Sequence, residues 1–215
     1  MGLFGKNKKS AEEKSTKKEE KKKQQEEKKK QQEEKKKQQE IDKEAAELKK
    51  ADSEFQKFKV KANKMKATAN IYLKKANAAY DKIKNYVGSK IRARANSLSQ
   101  SKDKGMNIKK EDQDFLNIYE SMKPEIKQTE SDISEYYNSI NSLVNNCKQY
   151  YESNKAKLYK ANQKSVSSSR LFKPMFEKKV THYSDKVEYI GSVGKDLEYI
   201  QSKIKAIYED LCTKG

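Results

Sequence analysis

His182 is the only histidine in the chain, and it stands on a stretch whose neighbours Val180 and Tyr183 are apolar. Acid–base catalysis needs a second titratable group within reach of the first. The carboxylates here are spread along the chain and form no such pair, so the imidazole reads as a packed side chain. No serine or cysteine stands in a nucleophile motif, and no glycine-rich phosphate loop occurs. Cys147 and Cys212 follow no metal or redox spacing. Two such thiols are expected to be buried and reduced in a cytosolic protein. The expectation is a non-enzyme with no cofactor, no metal and no small-molecule substrate.

Lysine is what remains. Fifty Lys and Arg against 32 Asp and Glu give a formal charge of +18. That charge is uneven: +6 over residues 1–40, +12 over 41–110, −5 over 111–150 and +5 over 151–215. A surplus of this size predicts a polyanionic partner: an anionic membrane, a nucleic acid or an acidic filament. Nucleic acid is disfavoured because the thirteen tyrosines fall in or beside apolar seams rather than in a basic face. No apolar run is long enough to span a bilayer and no secretory segment is evident. A cytoplasmic protein, peripheral to membranes, is the expected setting.

Three groups of cations are candidates for contact with such a surface. At the N-terminus Leu3 and Phe4 stand beside Lys6, Lys8 and Lys9, a combination suited to headgroup insertion, where apolar burial and anionic attraction add. Gly2 would suit N-myristoylation, but the sixth position is Lys6 rather than Ser or Thr. The second group is Lys148, Lys155, Lys157, Lys160 and Lys164. The third is the row Lys57, Lys61, Lys64, Lys74, Lys75, Lys82, Lys84, Lys90, Arg92 and Arg94. Each lysine near an anionic surface contributes on the order of 1 kcal/mol, so only their sum is informative.

The elements that must hold these groups are helices. Every seventh residue from Ile41 gives Ile41, Leu48, Phe55, Ala62, Ala69, Ala76 and Ile83; three residues on, the companion series runs through Phe58, Met65, Tyr72 and Tyr86. This is the seam of a long coiled-coil helix over residues 41–86, continuing weakly through Val87, Ile91, Ala95 and Leu98. A loop is expected in SLSQSKDKGMN. A second helix starts near Glu111, with Tyr119, Ile126, Ile133, Ile140 and Cys147 as its seam and Pro124 as a kink. This seam fails at Asn154 and Lys157, which places a hairpin turn around Glu152 to Lys155; the alternative is Ser165 to Ser169. The third helix carries the series Phe176, Tyr183, Ile190, Leu197, Ile204 and Leu211. SVSSSRLFKP, ending in Pro174, should bend or interrupt it.

From Glu19 to Gln39 the heptad EEKKKQQ repeats three times without an apolar residue. A seam needs apolar knobs, so this stretch reads as a charged spacer, helical at least in part through Glu/Lys pairs three and four apart. The chain thus divides into an N-terminal basic segment and spacer, 1–40, and a helical domain, 41–215. The fold class is all-α, an elongated antiparallel three-helix coiled coil. The first helix also carries Val60, Ala67, Ile71, Leu73, Ala78 and Tyr80, more apolar face than one bundle interior covers. A symmetric homodimer is the simplest way to bury the remainder.

The segment SEFQKFKVKANKMKATANIYLKKANAAYDKI resembles the first helix of BAR domains of the amphiphysin and endophilin kind. FLNIYESMKPEIK resembles their second helix, with Pro124, Glu125, Ile126 and Lys127 in a row. LFKPMFEKKVTHYSDKVEYIGSVGKDLEYIQSKIKAIYEDL resembles the end of their third. The resemblance covers about residues 41–213. It implies a crescent-shaped BAR-type homodimer whose cationic concave face lies on anionic phospholipid and senses or generates curvature, as in endocytosis and membrane remodelling. The first ten or so residues would correspond to the N-terminal amphipathic segment of N-BAR members. The chain departs from the pattern in a short tip between Tyr137 and Phe172, in Phe172 where Trp is usual, and in having no adaptor domain after the helices. The segment expected to carry concave cations is acidic, with Glu125, Glu130, Asp132 and Glu135. The alternative function is a structural coiled coil on an acidic cytoskeletal filament.

Overall fold

The computed structural model describes residues 6–212, with side chains from 21 to 211. It is all-helical, with four helices: α1 over Lys6–Ile83, α2 over Ser89–Asp103, α3 over Lys110–Ser167 and α4 over Lys173–Cys212. Contacts between the long helices fix their directions. Phe58 stacks on Tyr150 and Tyr72 on Tyr136, with ring centroids 4.1 and 5.1 Å apart, so α1 and α3 run antiparallel. Tyr137 stacks with Tyr208, Gln201 donates to Asn141 and Cys147 lies against the carbonyl of Ile190, so α3 and α4 are antiparallel too. Phe55 meets Tyr189 and Lys66 meets Asp196, which makes α1 and α4 parallel. α3 and α4 share the most extensive interface; α2 packs mainly on α3.

Each long helix contributes one apolar seam to a single continuous core. Phe55, Phe58 and Met65 of α1, Ile126 of α3, and Ile190 and Leu197 of α4 lie in it, with Tyr72 half-buried at its margin; Tyr119 and Phe176 are buried outside it, and Tyr183 is half-buried. Ile133, Ile140, Ile190, Leu197 and Ile204 are wholly enclosed. Each such aliphatic side chain contributes about 1.5–3 kcal/mol by leaving water. The seam, rather than any loop, therefore holds the rod together.

The structure corrects three boundaries. α1 stops at Ile83 instead of running on, because the chain turns over Lys84 to Gly88 and Gly88 sits at φ 109°, a conformation open to glycine. Val87, Ile91, Ala95 and Leu98 therefore belong to the turn and to the separate helix α2. Much of SLSQSKDKGMN is helical, and the loop is confined to Lys104–Lys109, with Gly105 at φ 68°. The hairpin turn is not at Glu152 to Lys155. α3 continues through it to Ser167, and the turn occupies 168–172, overlapping the alternative only at Ser168 and Ser169. The tip is accordingly not short.

The reason is visible at Asn154, which is 2% exposed yet satisfied, its side-chain amide donating to the carbonyl of Tyr150 at 2.8 Å. A polar residue that bonds back into its own helix can occupy a seam position without ending the helix. Ala161, seven residues on, is buried again. Pro124 lies inside α3, which stays helical on both sides of it. Pro174 is the second residue of α4, where the lack of an amide hydrogen costs nothing.

Candidate functional site

The helices dispose the expected cations very differently. Leu3 and Phe4 lie outside the described residues, and Lys6, Lys8 and Lys9 belong to α1 without described side chains. The group from Lys148 to Lys164 is strung along the last turns of α3 rather than gathered at a turn. Two of its members are engaged: Lys148 with Glu198, and Lys164 with Glu44, both at 3.0 Å. Lys155 lies over the ring of Tyr151, while Lys157 and Lys160 are exposed. No concentrated cationic face results.

Arg92 and Arg94 are likewise withdrawn from the row in which the sequence placed them. They sit on α2, where Arg92 pairs with Glu130 at 2.9 Å and also donates to the carbonyl of Leu211. Arg94 pairs with Asp112 at 2.7 Å and covers the ring of Phe115 at 4.4 Å. The acidic surplus of α3 is thus partly answered by α2 within the molecule. That segment offers no net attraction for an anion.

What the structure does gather is the outer side of α1. The seam residues Ala51, Phe55, Phe58, Ala62, Met65 and Ala69 are buried, and the positions facing away from them are exposed. On that outer side Lys43, Lys49, Lys50, Lys57, Lys64 and Lys74 are all exposed and Asp42 is the one carboxylate in line with them; Glu47, Asp52 and Glu54, also exposed, lie on the adjoining sides. Among the described residues none of these lysines makes an ion pair; the inter-helix pairs of α1 come instead from its flanks, as Lys66 with Asp196. Val60, 59% exposed, stands between Lys57 and Lys64. Beyond Lys64 the character changes: Ala67, Ile71 and Ala78 follow on the same side, and Ile71 is 53% exposed.

This ridge can attract an extended anionic surface but has no concavity for a small ligand. The lysines are fully hydrated, so their attraction acts by proximity and is screened by salt over about 10 Å. Sequence reasoning found Lys57, Lys64 and Lys74 within a wider row but not the one-sided ridge. The signal was present as a lysine at every seventh position from Lys22 to Lys64. Reading it required knowing which side of the helix the bundle covers.

The other polar feature lies inside, where α1 enters the bundle. Glu44, nearly buried, accepts from Lys179 of α4 and from Lys164, and Lys179 also reaches Glu47 at 3.3 Å. Seven residues on, Lys186 is 1% exposed and donates to the carbonyl of Ala51, with the rings of Phe55 and Tyr183 beside it. Burial brings its ammonium down to about 8. His182 is also pushed down, by burial and then by the charge of Lys186, and its buried Nε2 has no partner. The cleft beside it, about 630 Å³ and lined by Leu48, Pro174, Glu177, Lys178, Thr181 and Asp185 as well as His182, is shallow, and none of these side chains bonds to the buried Nε2. These are packing features of a helix junction.

Cys147 is a free, buried thiol, held above its usual range by burial. Among the described residues no cluster of His, Cys, Asp and Glu has metal-binding geometry, and no helix is long and apolar enough to cross a membrane. Comparison of the chain with protein-family models, with curated proteins and with solved structures returned no match.

Proposed function

We propose that this chain docks as a peripheral homodimer on anionic phospholipid membrane and senses or generates curvature there, in the manner implied by its resemblance to BAR domains. The observation that carries the reading is the outer side of α1, where lysines without internal partners form a ridge of one sign. A continuous cationic ridge is complementary to a broad anionic surface, and Val60 within it can settle at the headgroup boundary. The antiparallel packing of α1 on α3 and of α3 on α4 is of the kind the resemblance implies. The second copy packs over Ala67, Ile71 and Ala78, with Lys74 falling within the shared face, which leaves the lysines from Lys43 to Lys64 projecting from the dimer. The crescent shape and the dimer belong to this proposal.

The test is cosedimentation of the full chain with large vesicles of phosphatidylcholine, alone or with roughly 30 per cent phosphatidylserine, near physiological salt. Binding only to the anionic vesicles, weakened by added salt and by Lys50→Glu with Lys57→Glu and Lys64→Glu, is the expected result. No binding to either vesicle at low salt would overturn the reading. Cosedimentation with an acidic filament in place of vesicles would put the cytoskeletal alternative first.

A further inference from the structure

The repeat EEKKKQQ has its own seven-residue period, and so does the seam of the bundle. Two equal periods in one helix can stand in any of seven phases relative to each other. α1 is unbroken from Lys6 to Ile83, so the phase is fixed by the helix itself. Counting back in sevens from Ile41, Leu48 and Phe55 on the seam reaches Glu34, Glu27 and Glu20. The second glutamate of each repeat therefore lies on the seam side. Counting back from Lys43, Lys50 and Lys57 on the ridge reaches Lys36, Lys29 and Lys22, with Lys35, Lys28 and Lys21 beside them. The flanking position is a glutamine in each repeat: Gln25, Gln32 and Gln39.

We infer that the charged repeat is the outward continuation of the lysine ridge, held in register with it so that the repeat and the bundle lie on the same anionic lipid surface. This rests on the membrane reading above. Net composition hides the feature, because each repeat carries two glutamates against three lysines. Orientation reveals it: from Lys21 to Lys64 the outer side contains one carboxylate, Asp42, and eleven lysines. All the described side chains of the repeat are exposed. Among the described residues the only ion pair inside it is Lys37 with Glu33, at 4.0 Å, and Lys37 is not on the outer side. At about 1.5 Å per residue the ridge is about 65 Å long, roughly half of it supplied by the repeat. A flexible tether would need no phase at all, and a solvated ruler would need length but no particular side.

The test turns the repeat without changing its charge. In the full chain, two alanines inserted between Glu40 and Ile41 rotate everything N-terminal by about 200°, whereas seven alanines restore the original facing to within about 20°. Circular dichroism shows whether each variant keeps its helix content. On the phosphatidylserine vesicles the two-alanine protein should partition at least about tenfold more weakly, since several lysines leave the surface, while the seven-alanine protein stays within about twofold of the unaltered chain. If both insertions leave partitioning unchanged while Lys50→Glu with Lys57→Glu and Lys64→Glu still abolishes it, the membrane reading stands and this inference falls. Equal losses for both insertions would also overturn it, because continuity rather than facing would then matter. Failure of the unaltered chain to bind any anionic vesicle would remove both.

Discussion

Lys186 of α4 donates its ammonium to the backbone carbonyl of Ala51 on α1, at a site that is 1% exposed. The charged groups around it are Asp52 and Glu54, which favour its charge, and Lys157, which opposes it; burial dominates and brings it down to about 8. A lysine whose folded value lies below its unfolded one destabilises the fold while charged. The penalty is fully present below about pH 8 and is relieved as pH rises toward the unfolded value of about 10.5, a change on the order of 3 kcal/mol. Lys186→Met keeps the stem packed between Phe55 and Tyr183 and removes the charge. We expect it to stabilise the protein at pH 7 by about 1–3 kcal/mol and to flatten the rise between pH 8 and 10 in urea denaturation. A variant less stable than the parent at pH 7 would show that the bond to Ala51 outweighs desolvation.

Glu44 sits seven residues earlier than Ala51, gripped by Lys179 and Lys164, and marks the point at which α1 leaves its partners. Removing one member of a buried pair strands the other, which costs about 3–5 kcal/mol when nothing else can answer the charge. Glu47, 3.3 Å from Lys179 and half-exposed, answers part of it here. Glu44→Ala should therefore cost about 2–3 kcal/mol, and Glu44→Leu with Lys179→Met should recover most of it. Amide exchange would show the loss first over residues 41–55, where α1 would peel from α4; a uniform loss along the bundle would contradict this.

The seams were legible because a heptad needs only residue type and spacing, and Phe55, Ile133, Ile190 and Leu197 fell inside as the spacing required. The breaks were not. Asn154 looked like the end of a seam, yet its bond to the carbonyl of Tyr150 leaves nothing unsatisfied, and that bond exists only once the helix does. The end of α1 depends on the backbone angle of Gly88, which no side-chain pattern encodes. The ridge was half legible: its lysines were visible as a row, but the pairing of Arg92 with Glu130 and the one-sidedness of the rest follow from where α2 and α4 pack.

Gly88 and Gly105 make a controlled comparison. A Cβ added at either would meet nothing within 4 Å, so any effect of Gly→Ala is backbone strain alone. Gly105 lies at φ 68°, in the left-handed region that Asn tolerates; Gly88, at φ 109° and ψ 146°, lies outside it. Gly105→Asn should cost a few tenths of a kcal/mol and Gly88→Asn about 1–3 kcal/mol, measured by thermal unfolding. Equal costs would mean that the turn before α2 relaxes to a different path.

Gly191 and Gly194 invite the opposite expectation, because they line the cleft where α3 and α4 come together over Cys147. Glycines at a helix crossing suggest that a methyl group would not fit. The geometry says otherwise: a Cβ on Gly191 would lie 3.5 Å from the Tyr151 ring, and one on Gly194 would lie 3.7 Å from the Cys147 sulfur. Both are ordinary van der Waals separations, so the substitution adds contact without forcing the helices apart. A glycine inside a helix also loses about 0.8–1 kcal/mol relative to alanine through chain entropy and solvent exposure of the backbone. Gly191→Ala and Gly194→Ala should each stabilise the protein by about 0.5–1 kcal/mol. The midpoint of chemical denaturation should rise accordingly, and modification of Cys147 by a thiol reagent should slow in the Gly194 variant, since the added methyl group lies beside the sulfur. A fall in stability at either position would show that α3 and α4 approach more closely in solution than the separations at Tyr151 and Cys147 indicate.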